Sequence, residues 1–378
     1  MATVAHLVPR KRPAFLSDVA DTTELKRLEK RRKLVVVAAG LYYIHYRRES
    51  KLYAHCTDGP QFDLAEFGSN IRECRETFRF DAEHIVLLAE LFGLPQPFRT
   101  TNRIVVQREI ALSILLWRLR YPSRLGDGVA LFKRSQDQLS RIHNEVVNHL
   151  MKRYAAGLRG LDQARLTLEL LRQFADAIQA KGAALPDCVG FIDGTVRAIC
   201  RPGRDQRIVY NGHKRVHALK YQAVVTPDGI IAHMAGPFEG RMHDARILNE
   251  SGLQAPMAVC LHGEHGPYYV YGDPAYGISP HLQSPHKGAD LSADEMAFNR
   301  SMSPVRESVE WAFGKIVGLF AFVDFKKNQK LGLQQVGSFY LCAALLTNCH
   351  TCLYGGLTSD NFAVDPPSIE AYLATLGV

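Results

Sequence analysis

The sequence lacks the features that mark membrane proteins and repeat proteins. No apolar run in its 378 residues approaches the roughly 20 residues that a membrane-spanning helix needs. The N-terminus is basic and polar and has no apolar stretch like that of a secretory signal peptide, so we expect the protein to be neither membrane-bound nor secreted. Internal repeats and low-complexity segments are also missing. These absences leave a globular protein, and its length predicts two or three domains.

Cysteine is scarce and scattered. The eight cysteines show no spacing typical of a disulfide framework, and we expect them to be reduced. Cys349 and Cys352 form a CxxC pair with His350 between them, but no second pair of ligands lies nearby in the sequence. Because the surrounding sequence is apolar, we interpret these residues as core residues rather than as a zinc site.

The sequence has an excess of positive charge. Its net charge is +8, from 46 Lys and Arg against 38 Asp and Glu. Two basic clusters, PRKRP at 9–13 and KRLEKRRK at 26–33, lie in a basic tail that we place at residues 1–35. They fit a solvated tail, a nuclear-import signal or an arm on DNA phosphates, and these alternatives stay open. We expect an acidic partner such as nucleic acid, and a nuclear location.

Residues 36–182 show apolar residues at helical spacing and predict an all-helical region. Within it, a short helix at 126–135 precedes a longer helix that Ser135 caps. A short helix, a tight link and a polar-faced helix are typical of a helix-turn-helix domain that binds DNA, although plain helical packing gives the same pattern. In the first interpretation, the side chains that face the major groove are Arg134, Gln136, Gln138 and Arg141.

From residue 186 the sequence pattern changes to strands. A strand at 189–192 ends at Asp193, and a hairpin follows with its turn at Pro227-Asp228-Gly229. A further strand ends at Asp273, and a helix begins at Pro304. Strands followed by helices predict an α/β fold, a sheet covered by helices, over residues 183–330. Residues 331–378 then predict a strongly apolar, buried helix and a tail.

Three acidic residues stand out by their positions. Asp193 and Asp273 each end an apolar strand, and Glu310 lies in the helix that begins at Pro304. Carboxylates that converge from strand ends and a facing helix can hold two Mg²⁺ or Mn²⁺ ions, which prefer oxygen ligands. Two ions about 4 Å apart can activate a nucleophile and stabilise a leaving oxygen in phosphoryl transfer. Each acid alone has an ordinary alternative, as a turn residue or as a helical Glu that faces water.

Several segments, taken in order, resemble the PIF/Harbinger DDE transposases and their domesticated relatives. The resemblance is strong over about residues 185–355 and loose over the helical region upstream. It implies an RNase H-like catalytic core, a mixed sheet flanked by helices, that cleaves DNA at element ends and transfers the strand into target DNA. A domesticated DDE nuclease and a non-catalytic DNA-binding or scaffold protein of the same descent are the alternatives. The segments are FIDGT (191–195), YNGHKRVHALKYQAVVTPDGII (210–231), GPFEGRMHDARIL (236–248), YGDPAYG (271–277), FNRSMSPVRESVEWAFGKIV (298–317) and the apolar C-terminal helix.

The resemblance implies that Asp193, Asp273 and Glu310 are the catalytic acids and the ligands of the two metal ions. Asp244 is also typical of the family, but it opens a predicted helix, and we favour an N-cap role for it. Glu307 lies close to Glu310 on the same helix, and the pattern Arg-x-x-x-Glu-x-x-Phe-Gly selects Glu310.

Basic side chains of the same segments are the predicted DNA contacts. Arg306 lies one helical turn from the third acid, where it could touch a phosphate or pair with an acid. The stretch YNGHKRVHALKY fits a polar hairpin edge, but with the family resemblance we favour contact with DNA phosphates. The residues of that stretch are His213, Lys214, Arg215, His217 and Lys220.

The resemblance also implies partners. DNA is the expected substrate, as the terminal inverted repeats of an element and as target DNA. A transposase must pair two element ends, so we expect a dimer or a larger homo-oligomer. Some elements of the family encode a Myb/SANT-like protein that helps to bind DNA and to enter the nucleus, and this chain could use such a partner.

Overall fold

A computed structural model describes residues 61–161, 164–263 and 266–376. The chain divides into two compact units, Met1–Pro60 and Gln61–Val378, and the fold described below is that of the second unit. The predicted basic tail at 1–35 and the start of the predicted helical region lie outside the described residues.

The first part of the described chain is mostly helical, but the prediction of an all-helical region was wrong, because one short hairpin lies within it. A two-stranded antiparallel hairpin, β1 (Phe98–Arg99) with β2 (Val105–Val106), separates the third and fourth helices. The fourth helix is buried from Ile110 to Leu119, and the second, third and sixth helices pack against it. The helices are α1 (Leu64–Gly68), α2 (Ile71–Phe78), α3 (Ala82–Leu91), α4 (Arg108–Arg120), α5 (Asp127–Phe132), α6 (Gln136–Arg159) and α7 (Leu168–Ala180).

A mixed six-stranded sheet follows, which confirms the predicted α/β class with a sheet flanked by helices. The strands are β3 (Cys188–Ala198), β4 (Tyr210–Asn211), β5 (Val216–Val225), β6 (Ile231–Glu239), β7 (Tyr269–Gly272) and β8 (Leu282–Gln283). β5 pairs antiparallel with β3, β4 and β6, whereas β7 pairs parallel with β3 and β8 pairs parallel with β7. Three short helices lie between strands: α8 (Gln206–Val209), α9 (Asp244–Ser251) and α10 (Gln254–Cys260).

Four helices end the described chain: α11 (Ala293–Leu319), α12 (Val336–Tyr354), α13 (Leu357–Phe362) and α14 (Ile369–Leu376). By length and composition α12 could cross a membrane, with a mean hydropathy of 1.3, so our expectation that no segment reaches that length was wrong. The apolar window of α12 is 72% buried within the protein. This burial is what the sequence predicts for a core helix, and such helices pass the same length test.

The helical region and the sheet share one core. α6 packs against α12 and β6, and α7 packs against β3. α4 contacts the short 3₁₀ turn Ala321–Asp324 that follows α11. The predicted boundary at residue 182 therefore marks a change in secondary structure rather than a gap in packing.

Two elements are longer than the sequence predicts. β3 continues beyond Ile192 to Ala198, because β5 pairs with it along this length and Ala198 is paired with Ala218. α11 begins at Ala293 rather than at Pro304, so the proline lies inside the helix. Ser292 and Glu295 form a capping box at the new start, and the sequence SADE at 292–295 carries that signal.

Candidate active site

Neighbouring parallel strands place Asp193 and Asp273 side by side. The register pairs Ile192 of β3 with Gly272 of β7, and the residue that follows each of them is an aspartate. β7 ends there, whereas β3 continues with β5 as its partner. Asp193 thus lies in the middle of a strand, at the point where the neighbouring strand stops, and not at a strand end as predicted.

A short turn holds Asp273 in place. Its Oδ1 accepts a hydrogen bond of 2.8 Å from the backbone amide of Ala275 and so caps the 3₁₀ turn Pro274–Tyr276. A Cβ atom on Gly272 would lie 2.6 Å from Cγ2 of Ile192, so the glycine allows β7 to approach β3 closely. The turn role does not exclude a role in a site, because a carboxylate has a second oxygen.

Arg306 links Asp193 to Glu310. Its Nη1 lies 3.4 Å from Oδ2 of Asp193, and its Nη2 lies 3.8 Å from Oε1 of Glu310. Of its two predicted roles, Arg306 here shows the pairing with acids. Asp193 and Glu310 also line one open groove of about 690 Å³, whereas Glu307 forms no ion pair with any described residue.

Burial and the charges of its two acidic neighbours act on Asp193. Burial, together with the smaller effects of the charges of Asp273 and Glu310, raises the pKa of the Asp193 carboxyl to about 6. The backbone amide of Gly194, which donates to Oδ1 of Asp193 at 2.7 Å, and the Arg306 guanidinium oppose this shift. A bound cation would favour the charged form of such a carboxyl group.

The donor set fits a hard divalent cation, because all three side chains offer carboxylate oxygens. The acids are not drawn tightly together, and Arg306 lies between two of them. Within the described ranges, the one group of three whose ligand atoms all lie within 4.8 Å of one another is Asp81, Glu83 and His84. There Asp81 already pairs with Arg75 at 2.6 Å.

The match to a known family comes from the same part of the chain. A family described as DDE superfamily endonuclease matches residues 192–348, which contain Asp193, Asp273 and Glu310. This part of the chain is therefore similar to a DDE superfamily endonuclease domain. This match confirms the resemblance to the DDE superfamily that the motifs indicate.

Proteins with partial similarity to this chain include one plant and two mammalian sequences. "Protein ALP1-like" of Arabidopsis thaliana is 23% identical over 270 residues, which cover 68% of this chain and 64% of the relative. "Putative nuclease HARBI1" of Bos taurus is 22% identical over 253 residues, and its Homo sapiens counterpart is 22% identical over 254. Each mammalian match covers 66% of this chain and 69% of the relative. No solved structure matches the chain.

Asp244 lies beside the aspartates of the candidate site, which the sequence did not lead us to expect. His243 is the N-cap residue of α9, so the N-cap role predicted for Asp244 is wrong. Oδ1 of Asp244 instead accepts a hydrogen bond of 2.5 Å from the ammonium group of Lys220. A Cβ atom on Gly194 would lie 2.9 Å from the same Oδ1, which places Asp244 against β3 next to Asp193.

Tyr276 is a second neighbour that sequence reasoning missed. Its hydroxyl is buried and has no hydrogen-bond partner among the described residues. Burial, together with the charges of Asp244, Asp193 and Asp273, raises the pKa of Tyr276 well above its ordinary value. The hydroxyl therefore stays neutral and can donate a proton in a hydrogen bond beside three carboxylates. Its position in the segment YGDPAYG was the available signal.

We expect Gly194→Ala to disturb this arrangement and to lower the endonuclease activity that we propose below by about tenfold or more. The new methyl group would lie 2.9 Å from Oδ1 of Asp244 and 3.4 Å from the Tyr276 hydroxyl, so one of these groups must move. Overpacking of this kind costs about 1–3 kcal/mol in stability. Cleavage rates and urea unfolding measure both effects, with Gly203→Ala as a control because a Cβ atom there meets nothing within 4 Å. A cleavage rate for Gly194→Ala equal to that of the wild type would contradict the close packing of Asp244 and Tyr276 against Gly194.

The predicted DNA contacts of the hairpin segment differ in their exposure. His213, Lys214 and Arg215 are exposed in the turn between β4 and β5, and Lys214 also lines the groove of Asp193. Lys220 is buried, and its ammonium donates to Asp244 and to the carbonyl of Met242 at 3.0 Å. We therefore remove Lys220 from the expected phosphate contacts.

The remaining hairpin contact, His217, is half-buried. Its ring packs edge-on against the ring of Tyr210, with the ring centroids 5.4 Å apart. This packing leaves His217 less free than its exposed neighbours to reach a phosphate.

The predicted helix-turn-helix residues lie on or near the start of α6. Gln138 completes the capping box with Ser135, so its amide already has a local partner. Arg134 is half-buried, with its guanidinium 3.4 Å from the carbonyl of Val105. Gln136 is half-buried, whereas Arg141 is exposed. The reading of DNA by these helices stays a prediction.

Proposed function

We propose that this chain is a metal-dependent DNA endonuclease of the PIF/Harbinger type with an RNase H-like core. The observation that carries the proposal is the strand register, because it sets Asp193 beside Asp273 while Arg306 links Asp193 to Glu310. The mixed sheet supports the RNase H-like description. The endonuclease domain supports cleavage of a DNA phosphodiester as the reaction class.

In this proposal Asp193, Asp273 and Glu310 hold two Mg²⁺ or Mn²⁺ ions. When bound, such ions activate water and stabilise the leaving oxygen of a phosphoryl transfer. The chain itself orients the acids: the Gly194 amide holds Asp193, and the turn after β7 holds Asp273. The Arg306 guanidinium lies within reach of two acids, and its planar fork suits a phosphate oxygen pair.

Lys220 and Asp244 support the same edge of the sheet. The buried ammonium of Lys220 offsets the charge of Asp244, which would otherwise add a further negative charge beside the aspartates. The tyrosine hydroxyl of Tyr276 offers a neutral donor to the carboxylates around it. We propose these residues as supports of the site rather than as groups that touch the substrate.

Our proposal extends to the partners and the cellular location. Terminal inverted repeats and target DNA are the proposed substrates, and pairing of two DNA ends favours a dimer or a larger homo-oligomer. A Myb/SANT-like accessory protein and a nuclear location follow from the same type of element. The relative whose name includes the word nuclease supports nucleic-acid cleavage without deciding whether strand transfer follows.

A combined cleavage and strand-transfer assay tests the proposal. The full chain is incubated with DNA that flanks its gene and with a target plasmid, in Mg²⁺ or Mn²⁺ and in excess chelator, with and without a Myb-like protein. Metal-dependent cleavage followed by joining to the plasmid indicates a transposase. Cleavage without joining indicates a domesticated nuclease. DNA binding without cleavage under every condition would overturn the enzymatic proposal in favour of a DNA-binding scaffold.

A further inference from the structure

Six exposed basic side chains lie beyond the far end of β3, outside the group of acids. We call this group the distal basic surface. It comes from two chain segments, residues 201–207 after β3 and residues 326–330 after α11. Its members are Arg201, Arg204, Arg207, Lys326, Lys327 and Lys330.

Backbone contacts fix the two segments against each other. The backbone amide of Cys200 donates to the carbonyl of Gln329 at 2.9 Å. The Cys200 thiol lies 3.1 Å from the carbonyl of Lys326 and 3.4 Å from that of Lys327. Gln329 is buried, and its amide donates to the carbonyl of Phe322 at 2.7 Å. Hydrogen bonds therefore link the two segments that carry the basic side chains, so these segments are not two independent loops.

The positive charges of this surface are not neutralised locally. Within the described part of the chain, none of the six side chains forms an ion pair. Two acids lie on or next to the segments, Asp205 and Asp324, and Asp324 already pairs with Arg197 at 2.9 Å. Like charges gathered in this way repel one another, and a polyanion relieves that repulsion.

The groove of the acids leads towards this surface. Besides Asp193 and Glu310, it is lined by Lys214 and by Arg197 and Ala198 at the end of β3. A strand rises about 3.3 Å per residue, so Asp193 lies roughly 17 Å from Ala198 along β3. Duplex DNA rises about 3.4 Å per base pair, and that length corresponds to about five base pairs.

We propose that the distal basic surface, which begins beyond Ala198, binds the phosphate backbone of duplex DNA at least about five base pairs from the phosphate that the acids cleave. The distance rests on the proposed function, whereas the backbone contact itself does not require cleavage. Phosphates are the favoured ligand because exposed Lys and Arg side chains gain affinity by releasing counterions, without reading sequence.

The test compares two charge-matched double variants of the full chain. Lys326→Gln/Lys327→Gln removes two charges from the surface, and Lys152→Gln/Lys181→Gln removes two exposed charges elsewhere. We measure the affinity for duplex DNA over a range of salt concentrations, in a buffer without divalent metal. Each lost phosphate contact lowers the slope of log affinity against log salt by about 0.9, so we expect a decrease of about two for the first variant.

Duplex length locates the contact. We expect wild-type affinity to rise as the duplex is extended past about five base pairs from the cleaved phosphate, and we expect this rise to be lost in Lys326→Gln/Lys327→Gln. Equal salt slopes and equal length dependence in the two double variants would overturn the proposal. If neither the wild type nor either double variant cleaves DNA, the proposed function is contradicted, but the binding result remains valid. Equal thermal unfolding midpoints show that both variants are folded.

Discussion

We expect Glu310→Gln to lower metal-dependent DNA cleavage on the order of a thousandfold, and Glu307→Gln to leave it near the wild-type rate. Glu310 shares Arg306 with Asp193 and lines the same groove. The amide keeps the size of the side chain but removes its charge. A carboxylate that helps to hold a catalytic cation supports several kcal/mol of charge stabilisation in the transition state, which corresponds to this loss of rate.

Glu307 is a matched control for this experiment. It lies on α11 three residues earlier, is exposed, and undergoes the same chemical change. Single-turnover cleavage gives the rates, DNA affinity shows whether substrate still binds, and thermal unfolding shows that each variant is folded. If Glu307→Gln loses cleavage and Glu310→Gln keeps it, the third acid is Glu307 and the sequence pattern was misread.

Asp193→Asn and Asp273→Asn should lose cleavage to a similar degree and keep most of their DNA affinity. Asn can still accept the hydrogen bond from Ala275 that Asp273 accepts, so the turn after β7 is kept while the charge is removed. The experiment thus separates the turn role of Asp273 from its proposed role in the site. Full Mg²⁺-dependent cleavage by Asp273→Asn would show that the assignment is wrong.

The sequence predicts the class of fold and the order of the acids, because both depend on local patterns. Apolar runs mark β3 and β7, and motifs mark the aspartates that follow them. The end of β3 was misjudged because Asp193-Gly194 has the local composition of a turn. Its continuation depends on pairing with β5, whose residues lie some distance along the chain and whose register no local pattern shows.

The role of Asp244 could not be predicted for a similar reason. Strand β6 and its flanking turns separate Lys220 from Asp244 in the sequence. The two side chains come into contact only because β5, β6 and α9 pack together. Lys220 looked like an exposed basic residue in a polar segment, whereas its neighbours on β5 are buried on both faces of the sheet. Local composition thus predicted that Lys220 contacts DNA, whereas in the tertiary fold its ammonium group pairs with the carboxylate of Asp244.

The turn between β5 and β6 holds the most enclosed carboxylate of this hairpin. The side chain of Asp228 is 1% exposed and pairs with Arg165, whose side chain is 9% exposed. Its Oδ1 also accepts hydrogen bonds from the Thr226 hydroxyl at 2.6 Å and from the Ile230 amide at 3.2 Å. The sequence predicts Pro227-Asp228-Gly229 as the turn, and the structure confirms the turn while adding this buried ion pair.

We expect Asp228→Ala to lower the free energy of unfolding by about 3–5 kcal/mol, because it removes the carboxylate that compensates a buried guanidinium. Urea unfolding measures the loss, and Asp205→Ala, at an exposed aspartate, serves as the control. Asp228→Asn keeps acceptors for Thr226 and Ile230 but loses the charge, so its loss should be smaller. If Asp228→Ala and Asp205→Ala unfold at the same urea concentration, the ion pair does not stabilise the hairpin. Since β5 of that hairpin carries Lys220, a loosened turn would also weaken the support of Asp244 beside the proposed catalytic acids.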